Sequence, residues 1–395
     1  MARSSKSVCI VRQGPNDPLL QREYRALQGA GLDVDVIMEK VSGRPWRETI
    51  DGVRFYRLPL QRQRAGKVRY VLDYVGFAVL ATLLLTALHL RRRYRVVQVT
   101  TMPDFLVFAA LPAKLLGARV IGFFKEPTPE LGGLLTGSAK MERILARVEQ
   151  LSIRFCDEVL TVTEQLRGVY LGRGADPAKI GVVLNPTEPP ERIVDRPERS
   201  NGDQFLLFTH GSVEHRYGHE TVLRALQLLR KDVPEARLVF CGRGGDLDDV
   251  LGLIDELDLH DAVDYLGFVS EDELWEAMGG ADVGIVAQLS STYSNLVHTV
   301  KMYEYLHAGL PVVLSRLDSA AAYFDDGCLS FFTPGDHESL CEVLLALHDD
   351  REELARRGRC ARKLYDVYGW PAQRRAYLAA FDRYVELAPL AERTS

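Results

Sequence analysis

Strand-length apolar runs alternate with helix-length amphipathic stretches along this chain, and the alternation starts afresh after a polar tract at 188–204. Residues 7–12, followed by Gln13-Gly14-Pro15, read as a strand and a glycine turn; residues 19–30 read as a helix and 34–38 as a second strand. That β-α-β unit opens a doubly wound sheet, which strands at 96–100, 118–124, 156–163 and 180–186 extend. The tract 188–204 is rich in Pro, Arg, Glu, Ser, Asn and Gly, lacks apolar periodicity and reads as a linker. A strand at 205–209, a glycine-flanked loop at 210–218 and a helix at 219–229 then begin a second sheet. With 395 residues the chain exceeds one ordinary core and fits two. The expected domains are 1–187, a linker at 188–204, 205–368, and a C-terminal helix within 369–395.

Composition narrows the classes. A chain that is 47% hydrophobic and 26% charged is folded rather than disordered. A net charge of -5 gives no sign of a nucleic-acid binder. The six cysteines show no C-x-x-C pair or zinc spacing, so they are expected as small buried residues in a reducing compartment. The apolar run at 8–11 passes straight into a loop and gives no secretory signal. Gly14 lacks the G-x-G-x-x-G setting, which argues against an NAD enzyme.

The chemistry is expected at residues 294–314. Thr299 is placed to cap a helix, Gly309 to end it in the left-handed conformation, and Pro311 to block its continuation. Val312, Val313 and Leu314 fit a buried parallel strand. Free N–H groups from Thr299 to Lys301, backed by the helix dipole, can hold an anion such as a diphosphate. Glu304, one turn deeper, can accept hydrogen bonds from vicinal hydroxyls such as those of a ribose. The alternative is a solvated Lys301/Glu304 pair on a helix face; the apolar neighbours Met302, Tyr303, Tyr305 and Leu306 argue against it.

The segment KMYEYLHAGLPVV at 301–313 closely resembles the donor-binding helix and strand of glycosyltransferase family 4, and the order of strands and motifs resembles that family over almost the whole chain. The resemblance implies an α/β GT-B fold: two Rossmann-like, doubly wound parallel-sheet domains facing across a cleft, the last helix returning to the N-terminal domain. It also implies that Glu304 holds the ribose of a nucleotide sugar. A second Glu that many members carry eight residues earlier is Leu296 here, leaving Asn295 or the amides of Leu296 and Val297 as substitutes. In the loop of Gly211, the family's Arg and Lys places are Ser212 and Tyr217, and the cation has moved to Arg216, a candidate for stabilising the leaving diphosphate. The resemblance puts Gly14 near the diphosphate and Phe268 beside the base. Lys125 and Glu126 stand where the family has His-Asp. Glu126 is thus a candidate to bind a sugar hydroxyl or the acceptor nucleophile, with a plain surface acid as the alternative.

The implied activity is retaining transfer of a sugar from a UDP- or GDP-linked donor to a hydroxyl of a glycan or lipid-linked acceptor. No Asp-x-Asp metal triplet is read at a strand end, so neither metal nor another cofactor is expected to be obligatory. A nucleotide-sugar epimerase of the same fold, or a degenerate protein that only binds, are the alternatives.

Residues 74–90 form the most apolar helix-compatible run. Arg62, Arg64, Lys67 and Arg69 precede it, and Arg91, Arg92, Arg93 and Arg95 follow it. The run falls short of the about 20 residues of a bilayer span. It reads equally as a core helix or as an interfacial helix whose basic flanks meet anionic lipid. The second reading places the protein peripherally at the cytoplasmic face of a membrane, with Arg69, Arg91, Arg92 and Arg93 in contact.

Overall fold

Two parallel sheets, each covered by helices, account for the two rounds of alternation. The computed structural model describes residues 6–14, 17–60, 67–188, 190 and 204–388, without the side chains of 67–71. Two units separate: unit 1 is Met1–Glu188 with Trp370–Ser395, and unit 2 is Pro189–Gly369. The basic residues Arg62 and Arg64 and most of the expected linker lie outside the described residues.

Unit 1 runs β1 (Ser7–Arg12), α1 (Pro18–Gly29), β2 (Asp33–Glu39), β3 (Arg47–Ile50), β4 (Val53–Leu58), α2 (Lys67–Arg92) and β5 (Val96–Thr101). A 3-10 helix (Asp104–Ala110) leads to α3 (Leu111–Leu115), β6 (Arg119–Phe124), α4 (Thr128–Thr136), α5 (Ala139–Phe155), β7 (Glu158–Thr161), α6 (Glu164–Gly172) and β8 (Ile180–Val182). Among the described residues the strand order is β3-β4-β2-β1-β5-β6-β7-β8, parallel except for the β3/β4 hairpin. β1 pairs with β2 on one side and β5 on the other, with Val8 opposite both Val34 and Val96. The order therefore reverses beside β1, the kind of switch point where ligands meet α/β sheets.

Unit 2 runs β9 (Phe205–Ser212), α7 (His219–Leu229), β10 (Ala236–Arg243), α8 (Leu247–Glu256), β11 (Val263–Tyr265), α9 (Glu271–Gly279), β12 (Val283–Val286) and α10 (Val300–Ala308). It continues through β13 (Val312–Ser315), α11 (Asp318–Ala321), β14 (Ser330–Phe332), α12 (His337–Asp349) and α13 (Arg351–Tyr368). The order β11-β10-β9-β12-β13-β14 is parallel throughout and reverses beside β9. Phe205, Leu207, Leu223, Leu226 and Leu340 pack the core between this sheet and α7 and α12.

Local chemistry sets the helix ends. Asp17, Ser138 and Thr163 cap α1, α5 and α6 through their side chains, and Ser270 with Glu273 forms the expected capping box of α9. Where one helix was expected at 103–116, the chain makes the 3-10 helix and then α3, because Pro112 removes a donor from the middle of that span. The β3/β4 hairpin was not anticipated, although Asp51-Gly52 at its turn is a hairpin signal.

The last helix, α14 (Trp370–Asp382), belongs to unit 1. Tyr377 Oη donates to Gln98 Oε1 at 2.6 Å, Gln98 donates to Glu23 at 2.6 Å, and the buried Arg22 guanidinium lies 4.4 Å over the Trp370 ring. The cysteines correct one expectation: Cys328 and Cys360 form a disulfide, whereas Cys9, Cys156 and Cys241 are buried and free as expected.

α2 divides its surface between two environments. Tyr74, Phe77, Ala81 and Leu85 are buried on the side that meets β2, β4 and the 3-10 helix, the apolar ones contributing about 1.5–3 kcal/mol for each large side chain. Leu72, Val75, Val79, Leu83 and Leu90 are exposed. Residues Leu72–Arg92, 21 in all, are long and apolar enough to cross a bilayer by length and composition, but the helix is packed into unit 1 by its inner side.

Candidate active site

The strongest concentration of buried ionisable groups in unit 2 lies at the carboxyl end of β9, beside the switch point. Gly211 near the end of β9 has φ 109 and Gly242 near the end of β10 has φ 143. A β-carbon on Gly242 would overlap the Gly211 carbonyl oxygen, so the two strand ends approach as closely as glycine allows. The Lys301 side chain passes beside Gly211, about 3.5 Å from where its β-carbon would stand.

α10 begins and ends as the sequence implies. Gly309 ends it at φ 65, and its N–H bonds the Leu306 carbonyl. Thr299 occupies the N-cap, but its hydroxyl makes no capping bond and is buried without a hydrogen-bond partner. That corrects the expected side-chain cap and leaves the first-turn amides without one.

Lys301 is 8% exposed and the Glu304 side chain 13%, so the solvated pair is excluded. Burial pushes the Lys301 ammonium down to about 8, against an opposing pull from Glu304. Its Nζ lies 5.1 Å over the Tyr217 ring. Glu304 Oε2 stands 3.0 Å from His210 Nε2 on β9, close but not aligned for a hydrogen bond. His210 was missed in the sequence, where its only signal is its place just before Gly211.

The loop before α10 is fixed from within. Asn295 donates to Ser290 Oγ and the Ser291 carbonyl and accepts from the Asp318 amide at 2.9 Å. The Leu296 amide bonds the Tyr293 carbonyl, and Val297 is buried. Asn295 and the Leu296 amide, expected as substitutes for the missing Glu, thus hold the loop from within. His298, pushed down to about 4 by burial, joins Tyr303 Oη at 2.6 Å and the Ser319 carbonyl at 2.8 Å, tying the loop to α10 and α11.

Arg216 is half-buried, paired with Glu214 at 2.6 Å and 5.0 Å from the Tyr217 ring. Ser212 is exposed at the end of β9. Phe268 is 72% exposed with the Arg243 guanidinium 4.3 Å over its ring, a planar stack beside the ends of β10 and β11. A separate cavity of about 650 Å³ opens beside the first turn of α7, lined by Gly218, His219, Asp246, Leu289 and His337; Gly211, Lys301 and Glu304 do not line it. Among the described residues no group of three His, Cys, Asp or Glu is placed to hold a metal ion.

In unit 1, Gly14 follows β1 at φ 146, and Glu126 is half-buried just past β6. Its neighbour Lys125 is buried, donates to Glu23 and is pushed down to about 8 by burial. The arginines after α2 differ among themselves. Arg91 and Arg93 are exposed, whereas Arg92 turns to the buried Asp35 at 3.4 Å and to Asp33 at 3.6 Å. Arg92, expected as a membrane contact, is thus paired within unit 1, and the side chain of Arg69 is not among those described.

A family model described as Glycosyl transferase 4-like domain matches residues 19–186, and one described as Glycosyl transferases group 1 matches residues 191–364. A sulfoquinovosyl transferase of Arabidopsis thaliana is 32% identical over 161 residues, a match that spans 40% of this chain and 30% of that relative's length. Among solved structures, a sucrose-phosphate synthase of Thermosynechococcus elongatus superimposes with a TM-score of 0.75 at 16% identity, covering 96% of this chain and 98% of the other. The Anabaena protein HepE in complex with UDP-glucose does so with a TM-score of 0.71 at 13% identity, covering 95% and 99%.

Proposed function

Because the chain belongs to the glycosyl transferases group 1 family and is a glycosyltransferase, we infer that it moves a sugar from a UDP- or GDP-linked donor to a hydroxyl of a glycan or lipid-linked acceptor, with retention at the anomeric carbon. The observation that carries this reading is the buried first turn of α10 beside Gly211. Amides without a side-chain cap and the Lys301 ammonium can meet a diphosphate there, and Glu304 can take ribose hydroxyls one turn deeper. The Phe268 ring with Arg243 offers a stacking face for the base.

The acceptor oxygen bonds to C1 on the face from which the diphosphate departs. The bond from C1 to the diphosphate oxygen breaks, and a departing phosphate oxygen takes the acceptor proton. Negative charge grows on the diphosphate and positive charge on the sugar ring, so the protein's task is to stabilise the former with fixed donors. Arg216 and Lys301 are assigned that task, with Gly14 and Gly211 admitting close backbone approach. Glu126 is assigned to a sugar hydroxyl or to the acceptor nucleophile. The exchange is redox-neutral and asks for no resident cofactor. The outward stripe of α2 supports a place at the inner surface of a membrane, which suits a lipid-linked acceptor in surface polysaccharide or glycoconjugate assembly.

The test is a calorimetric screen of UDP, GDP and their sugars, followed by NMR of the product anomer with the donor that binds. Tight binding of one donor and a product of unchanged anomeric configuration are expected. Failure of every nucleotide to bind would sink the reading, and an epimer formed without any acceptor would replace it with an epimerase.

A further inference from the structure

α5 lies against α4 and the 3-10 helix of unit 1, and its two sides differ in kind. The inner side buries Glu149, Gln150, Ser152 and Ile153. The outer side exposes Met141, Ile144 and Leu151, three and seven residues apart and therefore on one helical stripe. Lys140, Arg143, Arg147 and Arg154 flank that stripe and are exposed as well.

The two acids of the helix do not answer these cations. Glu149 is buried and held by Arg173 at 3.0 Å, and the half-buried Glu142 carboxylate lies over Gly133 of α4. Among the described residues no carboxylate pairs with Lys140, Arg147 or Arg154. Just before α5, Leu134 and Leu135 are exposed at the end of α4, and the chain turns through Gly137 into the Ser138 cap. The tip of this helical hairpin thus presents aliphatic side chains next to Lys140.

A chain of net charge -5 has gathered unpaired positive charge around an aliphatic stripe. A basic stripe alone would suit any polyanion, but a nucleic-acid reader adds aromatic side chains for stacking or polar groups that reach bases. The outward side of α5 has neither. Aliphatic side chains beside cations match the acyl boundary and anionic headgroups of a bilayer. The 3-10 helix touches both α2 and α5, so the two helices lie in the same part of unit 1.

We propose that the outward face of the α4–α5 hairpin is a docking surface for an anionic lipid bilayer, and that it supplies most of the electrostatic attachment. The proposal rests on the membrane-surface reading of α2 given above and adds to it a second contact, one whose charges are free where Arg92 is not.

Flotation of the full chain with vesicles of phosphatidylcholine, alone or mixed with phosphatidylglycerol, tests it at low salt. The wild type is expected to float only with phosphatidylglycerol. One basic side chain near an anionic leaflet is worth about fivefold in binding, so the combined Lys140→Gln, Arg143→Gln, Arg147→Gln variant should lose about a hundredfold. Combined Leu135→Ser, Met141→Ser and Ile144→Ser should release the protein as well, and since these positions are exposed, its circular dichroism should match the wild type. Arg91→Gln with Arg93→Gln should cost less than the α5 charge variant. The proposal is overturned if the α5 charge variant floats like wild type, or if wild type ignores anionic vesicles. Concentration-dependent self-association that the serine variant abolishes would assign the face to a second copy instead. Binding of UDP and GDP, measured on the same preparations, reports on the sugar-transfer reading separately: its loss with intact flotation would count against that reading and leave this one standing.

Discussion

Unit 1 and unit 2 are built on the same plan, parallel strands reversing order beside the first strand of each, yet their exposed apolar side chains are unevenly divided. Unit 2 buries ionisable side chains at the end of its sheet, where Lys301, Glu304 and His210 crowd around Gly211. Unit 1 buries ionisable groups too, Arg22, Glu23, Asp35, Lys125 and Glu149 among them, but it also leaves apolar side chains outside: apart from Leu266, Phe268 and Val367, the exposed large hydrophobics among the described residues all belong to it, Leu115 at 79% being the extreme. Burying charge and exposing apolar surface both cost stability, and each is retained where a ligand or surface recovers that cost. The apolar excess on unit 1 is what the proposed surface contact rests on, and the Lys301, Glu304 and His210 cluster is what the proposed donor site rests on.

The sharpest way to break this comparison is to remove the cation assigned to the leaving group. Arg216→Ala is expected to lower kcat by ~10²–10³ with a smaller change in KM; a change in KM alone would reduce Arg216 to an anchor. Glu304→Ala should weaken binding of UDP or GDP by about 1.5–3 kcal/mol, read by calorimetry on protein whose circular dichroism is unchanged. Equal affinity would remove the ribose contact from α10.

Lys301 adds a pH signature. Burial sets its ammonium at about 8, so below that pH the free protein already carries the charge that meets a phosphate. Above it, binding must bring a proton along, and affinity for the nucleoside diphosphate should fall as pH rises through about 8. Lys301→Met should bind about tenfold more weakly at neutral pH and lose that fall.

Two smaller effects test unit 1. Tyr377→Phe removes the bond from α14 to Gln98 and should cost about 1 kcal/mol in thermal or urea unfolding. Leu83→Ser on the outward side of α2 should change stability by no more than about 0.5 kcal/mol while reducing vesicle binding. A large stability loss would mean that this side is covered in the folded protein.

Much of this was legible in residue patterns, because backbone-level signals are local. The strand at 7–12, the helix at 219–229, the Gly309 stop and the Ser270 capping box need only a few adjacent residues. What escaped depended on partners far away in the chain. Asn295 looked like a free amide until its bond to the Asp318 amide was seen, and Arg92 looked like a surface cation until Asp35 was found beneath it. Cys328 and Cys360 are 32 residues apart, without a spacing that announces a pair. The basic side of α5 was within reach of the sequence, since Lys140, Arg143, Arg147 and Arg154 follow a helical period, but only burial of Glu149 and Ile153 shows which side faces out.

The placement of α14 in unit 1 has a consequence for how the chain is made. Unit 2 is one uninterrupted segment, whereas unit 1 is completed by residues synthesised after all of unit 2. Arg22 is buried under Trp370, so for most of translation its guanidinium has no indole above it, and the Gln98 side chain waits for Tyr377. The later-made unit can therefore mature first, while the earlier-made one stays open along the groove that α14 fills. A ribosome-bound chain that ends at Gly369 and is extended by a flexible linker long enough to clear the exit tunnel should carry a protease-resistant unit 2 attached to a protease-sensitive unit 1, a reversal of the N-terminal-first order usual for successive domains.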